Sequence, residues 1–257
     1  MRTNLPRGIL EVHYESAAQK YLRSLKPENH MEATPQATQR EITLASLALV
    51  HERRPEVQFF NELLVQYSVG NRHKPGQVVP DNMVVVHEEP INAIGHYSLA
   101  LQPVAPFWVM EYVSKSSERK DYVVSMQKYE EDLKVPYYLV FYPENDELTL
   151  FRHNGTKYLS VLPDKAGLHA VPELEMAVSL VDGWARYWFR GEMLPLPGEL
   201  LRGLDRANRE TARQRLRADE AESGRQEAEN ARLAMADQLA LLRAELQALR
   251  GTGGKAS

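Results

Sequence analysis

Residues 107–142 read FWVMEYVSKSSERKDYVVSMQKYEEDLKVPYYLVFY, and the fold turns on how this stretch is read. Phe107, Trp108, Val109 and Met110 form the short apolar run of a buried strand. Glu111 ends that run, where an ionised carboxylate is costly unless a cation or a metal holds it. Ser116 or Ser117 can cap a following helix, with Glu118 in its first turn. Tyr122, Met126, Tyr129 and Leu133 recur at helical spacing and predict an apolar stripe, bordered by Asp121, Ser125, Lys128 and Asp132. Residues 135–142 then return as a strand. Upstream, Val78, Val79, Met83, Val84, Val85 and Val86 flank a Pro80-Asp81 pair, so two predicted strands each carry one carboxylate.

The chain has 257 residues, of which 43% are hydrophobic, enough for one domain of roughly 200 residues with a substantial core. The formal net charge of -4 excludes a strongly basic protein that grips nucleic acid over its whole surface, so any such contact must use a local patch. With no cysteine, disulfides, thiolate metal sites and thiol nucleophiles are excluded, which fits a reducing compartment. No apolar run approaches the roughly 20 residues of a spanning helix, and the opening MRTNLPRGIL lacks the apolar middle of a secretion signal. The expectation is a cytoplasmic protein with no membrane contact.

Outward from the central stretch, residues 14–25 predict a helix halted at Lys26-Pro27. Residues 36–53 predict a longer one, its apolar face built from Ile42, Leu44, Ala45, Leu47, Ala48 and Leu49. Residues 57–60 and 63–69 read as strands joined tightly at Asn61-Glu62, and 70–76 as a basic loop. Residues 88–106 read as an irregular surface excursion. Two hairpins are expected, one at Asn154-Gly155 between strands 147–153 and 157–162, the other at Asp182-Gly183 between strands 174–180 and 184–190.

Beyond Leu200 the composition changes. Residues 205–250 hold no proline, no aromatic residue and one glycine, Gly224, in a mixture of Arg, Glu, Ala, Leu and Gln. Leu239, Leu242, Leu246 and Leu249 repeat at three and four, in a register that runs back through Met235, Arg232, Ala228, Arg225, Ala221 and Ala218. A continuous helix here would be about 70 Å long, either a solvated single helix or a dimeric coiled coil. The expected domains are 1–200, globular; 201–250, helical extension; and 251–257, a disordered tail.

Two carboxylates on neighbouring strands with a lysine nearby can bind a divalent cation and orient a water for attack on a phosphodiester. The residues alone leave two bland readings open: Asp81 as a turn residue after Pro80, and Glu111 in an ion pair with Lys115 or Arg119. His73, His87, His96 and His153 lack metal-ligand spacing. Trp184, Tyr187, Trp188 and Phe189 fit a core or a base-stacking surface. Arg72, His73 and Lys74 with Lys115, Arg119 and Lys120 fit a phosphate-facing rim or ordinary surface charge.

Pro80-Asp81, then 111–116 (EYVSKS), Arg119-Lys120-Asp121, Lys128-Tyr129 and 135–139 (VPYYL) together resemble the Uma family of restriction endonucleases, within the PD-(D/E)XK nuclease superfamily. The resemblance covers residues 32–192. It implies an α/β (α+β) core in which a mixed sheet is flanked by helices, with Asp81 and Glu111 as ligands of magnesium or manganese. The superfamily lysine stands two residues after the second acid, where this chain has Val113; Lys128 on the following helix is the replacement the resemblance favours, and Lys115 the alternative. Glu32, before a Thr-Pro turn, matches the family's upstream acid, with Glu41 as competitor. The implied activity is metal-dependent hydrolysis of DNA by Asp81, Glu111, Lys128 and Glu32, in a homodimer joined through the C-terminal helix. An inactive nuclease-fold scaffold working through that helix is the alternative.

Overall fold

The computed structural model of the chain describes residues 6–24, 34–70, 75–115 and 117–252, in two compact units, 1–196 and 197–257. The first unit begins with helices α1 (Arg7–Ser24) and α2 (Thr34–Arg53), then strands β1 (Val57–Asn61), β2 (Leu64–Tyr67), β3 (Gly76–Val78), β4 (Asn82–Val86), β5 (His96–Ser98) and β6 (Trp108–Tyr112). A helix over residues 118–133 follows, and then β7 (Tyr137–Tyr142), β8 (Glu147–His153), β9 (Tyr158–Ser160), β10 (His169–Val171), β11 (Met176–Val181), β12 (Trp184–Phe189) and β13 (Glu192–Met193). The class is mixed α/β.

The central sheet has the order β1-β4-β6-β7-β8-β9. Only β6 and β7 run parallel within it, and a parallel pair needs a crossover of a dozen or more residues. The 118–133 helix is that crossover. Both strands are buried along their whole length, which explains their near-continuous apolar sequences.

Alternation divides β6 between two cores. Trp108, Met110 and Tyr112 share one core with Ile42, Leu47 and Val50 of α2 and with Val178, Ala185 and Tyr187 of the β10-β11-β12-β13 sheet. Val109 faces the opposite core, with Met83, Val85, Tyr138, Tyr129 and Leu133, closed by Val65, Tyr67, Val78 and Tyr97 of the β3-β2-β5 sheet. Glu111 belongs to the second face by the same period of two.

The tight connection between β1 and β2 forms as expected, and Glu62 at φ 48 in its corner sends β1 into the central sheet and β2 into the small one. Several sequence expectations are corrected. Helix α1 starts at Arg7, seven residues earlier than expected, with Pro6 accepting the first backbone bonds and an Arg7–Glu11 pair one turn on. Helix α2 buries Gln39, Thr43 and Ser46 together with Ile42, Leu47 and Val50, whereas Leu44, Ala45, Ala48 and Leu49 are only partly covered. The polar members are satisfied: Gln39 bonds both the carbonyl and the amide of Ala185, and Thr43 bonds the Tyr187 hydroxyl. The surface excursion contains β5. Asp182-Gly183, both at positive φ, makes the tight β11–β12 turn that the dipeptide predicts.

The crossover helix carries the largest departure. Lys120–Ser125 and Lys128–Leu133 form π turns separated by the α-helical Met126 and Gln127, and this mixture of wider and narrower turns keeps positions four apart nearly in line. The buried stripe is therefore Asp121, Ser125, Tyr129 and Leu133, with Tyr122 and Met126 at its edge. Lys134 at φ 50 and Pro136 close the helix.

The second unit is one helix, α3 (Pro197–Thr252), of 56 residues. It runs two residues into the stretch expected as a tail. Leu239, Leu242 and Leu246 are exposed along it. Among the described residues, no helix is long and apolar enough to cross a membrane.

Candidate metal centre

Strands β4 and β6 pair antiparallel with Asn82 opposite Met110 and Met83 opposite Val109. Extending that register by one residue sets Asp81 opposite Glu111. Directly opposed residues of an antiparallel pair share a face, with Cβ atoms roughly 5 Å apart. The strand ladder thus delivers both acids to the edge of the second core, under the crossover helix. Asp81 is fixed by the Tyr112 backbone amide, which donates to its Oδ2 at 2.6 Å.

Glu111 is fully buried. The Tyr129 hydroxyl donates to its Oε1 at 2.7 Å, while Oε2 is buried with no hydrogen-bond partner. Burial, and next the charge of Asp81, raise the Glu111 carboxyl well above the ordinary glutamate range, against the pull of Lys120. Burial likewise raises Asp81 to about 6, opposed by the Tyr112 amide and Lys120. Two adjacent acids with raised values, one with an orphaned oxygen, are an unfavourable arrangement for a purely structural pair. Such strain accumulates where charge is to be matched by a ligand.

Lys128 lies on the same helix with its Nζ donating to the Gln77 carbonyl at 2.9 Å. Burial lowers its pKa, and Lys120 lowers it further, while Asp132 and Glu111 oppose the shift. Its ammonium therefore feels Glu111, after Asp132, while its hydrogen bond goes to Gln77. Lys115 is exposed in the turn after β6, and Glu41 is exposed on α2. Glu32 lies outside the described residues, as do Arg72, His73 and Lys74 of the expected basic rim. Val113, two residues after Glu111, is wholly buried in the second core. Tyr187 and Phe189 are core residues, with Trp184 packed against them.

Lys120, Asp121 and Tyr129 are the side chains that the sequence reading did not place at the centre. Lys120 Nζ sits 3.3 Å from Asp121 Oδ1, with the lysine side chain 55% exposed and the aspartate 1%. Burial alone would depress Lys120, but Glu111, then Asp121 and Asp81, outweigh it and raise its pKa. Burial raises Asp121, and Lys120 and Ser117 counter it. The available signal was the polar series Asp121, Ser125, Tyr129 at intervals of four, which reads as a stripe once π turns are allowed.

Among the described residues, no group of three or more His, Cys, Asp or Glu side chains has the arrangement to hold a metal ion by itself. Two carboxylates fit a hard divalent cation that keeps several waters, as magnesium does, and the orphaned Glu111 Oε2 is the kind of oxygen such an ion would satisfy. A search of curated proteins finds no match. A search of solved structures finds a crystal structure from Anabaena variabilis ATCC 29413 at 1.96 Å, described as "a putative nuclease belonging to DUF820", with 15% identity and a TM-score of 0.42. The match covers 61% of this chain and 89% of that one. The family model Uma2, described as "Putative restriction endonuclease", matches residues 28–180. Because that match takes in more than half of the 257 residues, Asp81, Glu111 and the crossover helix between β6 and β7 included, the chain belongs to the Uma2 family.

Proposed function

We propose that the protein is a metal-dependent endonuclease that hydrolyses DNA phosphodiester bonds, with Asp81 and Glu111 as the acids that hold magnesium or manganese. The observation that carries the reading is the buried, unpartnered Glu111 Oε2 opposite Asp81. A divalent ion bound there would supply Lewis-acid stabilisation of phosphate charge and a more acidic water. Tyr129 holds Glu111 in one orientation, and the Tyr112 amide does the same for Asp81. Lys128, partly buried and depressed in pKa, would hold the attacking water once its ammonium leaves the Gln77 carbonyl. Glu32 is the proposed upstream acid.

The exposed Leu239, Leu242 and Leu246 of α3 support a homodimer through that helix, which would bring two active sites to the two strands of one duplex. The proposed place of action is the cytoplasm. The test is calorimetric titration of magnesium and manganese into the wild type, Asp81→Ala and Glu111→Ala, with circular dichroism of each. Metal uptake by the wild type alone, with all three folded, is the expected result. Unfolding of both variants would mark the acids as structural. The buried Val113 in place of the superfamily lysine favours a second reading, an inactive scaffold, which predicts no metal uptake and no cleavage.

A further inference from the structure

Lys120 and Asp121 belong to the centre and have no part in the reading above. Asp121 is held by its π turn beneath the surface, where the Tyr138 hydroxyl donates to its backbone carbonyl at 2.9 Å. Its carboxylate seats the Lys120 ammonium at 3.3 Å. The rest of the lysine side chain is more than half exposed, so the ammonium can turn outwards at small cost while its stem stays on the helix. Glu111, Asp121 and Asp81 all act on this one cation, and Glu111 leaves an oxygen unpartnered and buried.

We infer that Lys120, seated on Asp121, is a second catalytic cation: it screens the acids when they hold nothing else and turns to a non-bridging oxygen of the scissile phosphate when substrate is bound. A flexible ammonium at the solvent edge suits a phosphate, which it meets as a point charge. Lys128, with its ammonium on the Gln77 carbonyl, is left to the water. The inference rests on the proposed nuclease reading.

The test uses the full chain as wild type, Lys120→Met and Lys120→Arg, with manganese titration by calorimetry and plasmid nicking in magnesium. Removing a competing positive charge beside the acids should tighten manganese binding by about fivefold or more in Lys120→Met. Loss of a cation aimed at phosphate charge should slow nicking by about 100-fold. Lys120→Arg should restore wild-type manganese affinity and part of the nicking. Manganese affinity in Lys120→Met equal to or weaker than wild type overturns the inference, as does undiminished nicking. A wild type that takes up no manganese overturns the nuclease reading itself and this inference with it, which a change confined to the Lys120 variants cannot do.

Discussion

Asp81→Asn should stabilise the metal-free protein, because the carboxylate costs stability to ionise where it sits. Burial raises its pKa from the ordinary 3.8 to about 6. Two pH units correspond to about 3 kcal/mol, and the residue's partial access to water trims this to about 1–2 kcal/mol. The folded-state value lies above the unfolded one, so the folded chain keeps its proton longer. The penalty is therefore absent below about pH 4, grows as pH rises to about 6, and is complete above that. Asparagine mimics the protonated acid and can still accept from the Tyr112 amide. Urea unfolding in chelator should show the variant more stable than wild type by about 1–2 kcal/mol at about pH 8, and equal to it near pH 4. Magnesium should raise the wild type's stability and leave the variant unchanged. A variant less stable than wild type at about pH 8 would refute the reasoning and make Asp81 a structural carboxylate.

Tyr129→Phe removes the donor that fixes Glu111 Oε1, and calorimetry should show divalent-ion affinity weakened by about 10–100-fold. Because acids with raised values must lose protons to bind a cation, manganese affinity in the wild type should fall steeply as pH drops below about 6, the Asp81 value. The pH series by calorimetry checks this, and a flat profile would separate metal uptake from Asp81. Leu239→Glu with Leu246→Glu should convert a dimer to a monomer in sedimentation; an unchanged mass would remove α3 as the dimer contact.

The sequence made the sheet half of this centre readable, for a physical reason. Strand alternation has a period of two, so Glu111 at the end of Trp108, Val109 and Met110 can face only one of two cores, and Asp81 beside Asn82 can meet it only through one register. The helix half was hidden. A helical period of 3.6 assigns Tyr122 and Met126 to the buried stripe, whereas the π turns bury Asp121 and Ser125 and set Lys120 against Asp121. The same kind of blindness affected α2, where Gln39 and Thr43 are buried because they bond Ala185 and Tyr187. Those residues lie 146 and 144 positions away in sequence, and no local pattern announces such a partner. The exchange of β2 into a separate sheet depends likewise on one left-handed residue, Glu62, which propensity does not signal.

Plasmid nicking is the most direct readout of a metal-dependent nuclease centre at Asp81 and Glu111. Supercoiled plasmid is incubated at low salt with wild type, Glu111→Gln or Lys128→Ala, in magnesium, manganese or chelator. Such a centre predicts nicking by the wild type in either metal, none in chelator, none by Glu111→Gln, and strong loss in Lys128→Ala. Nicking that persists in Glu111→Gln or in chelator would contradict it.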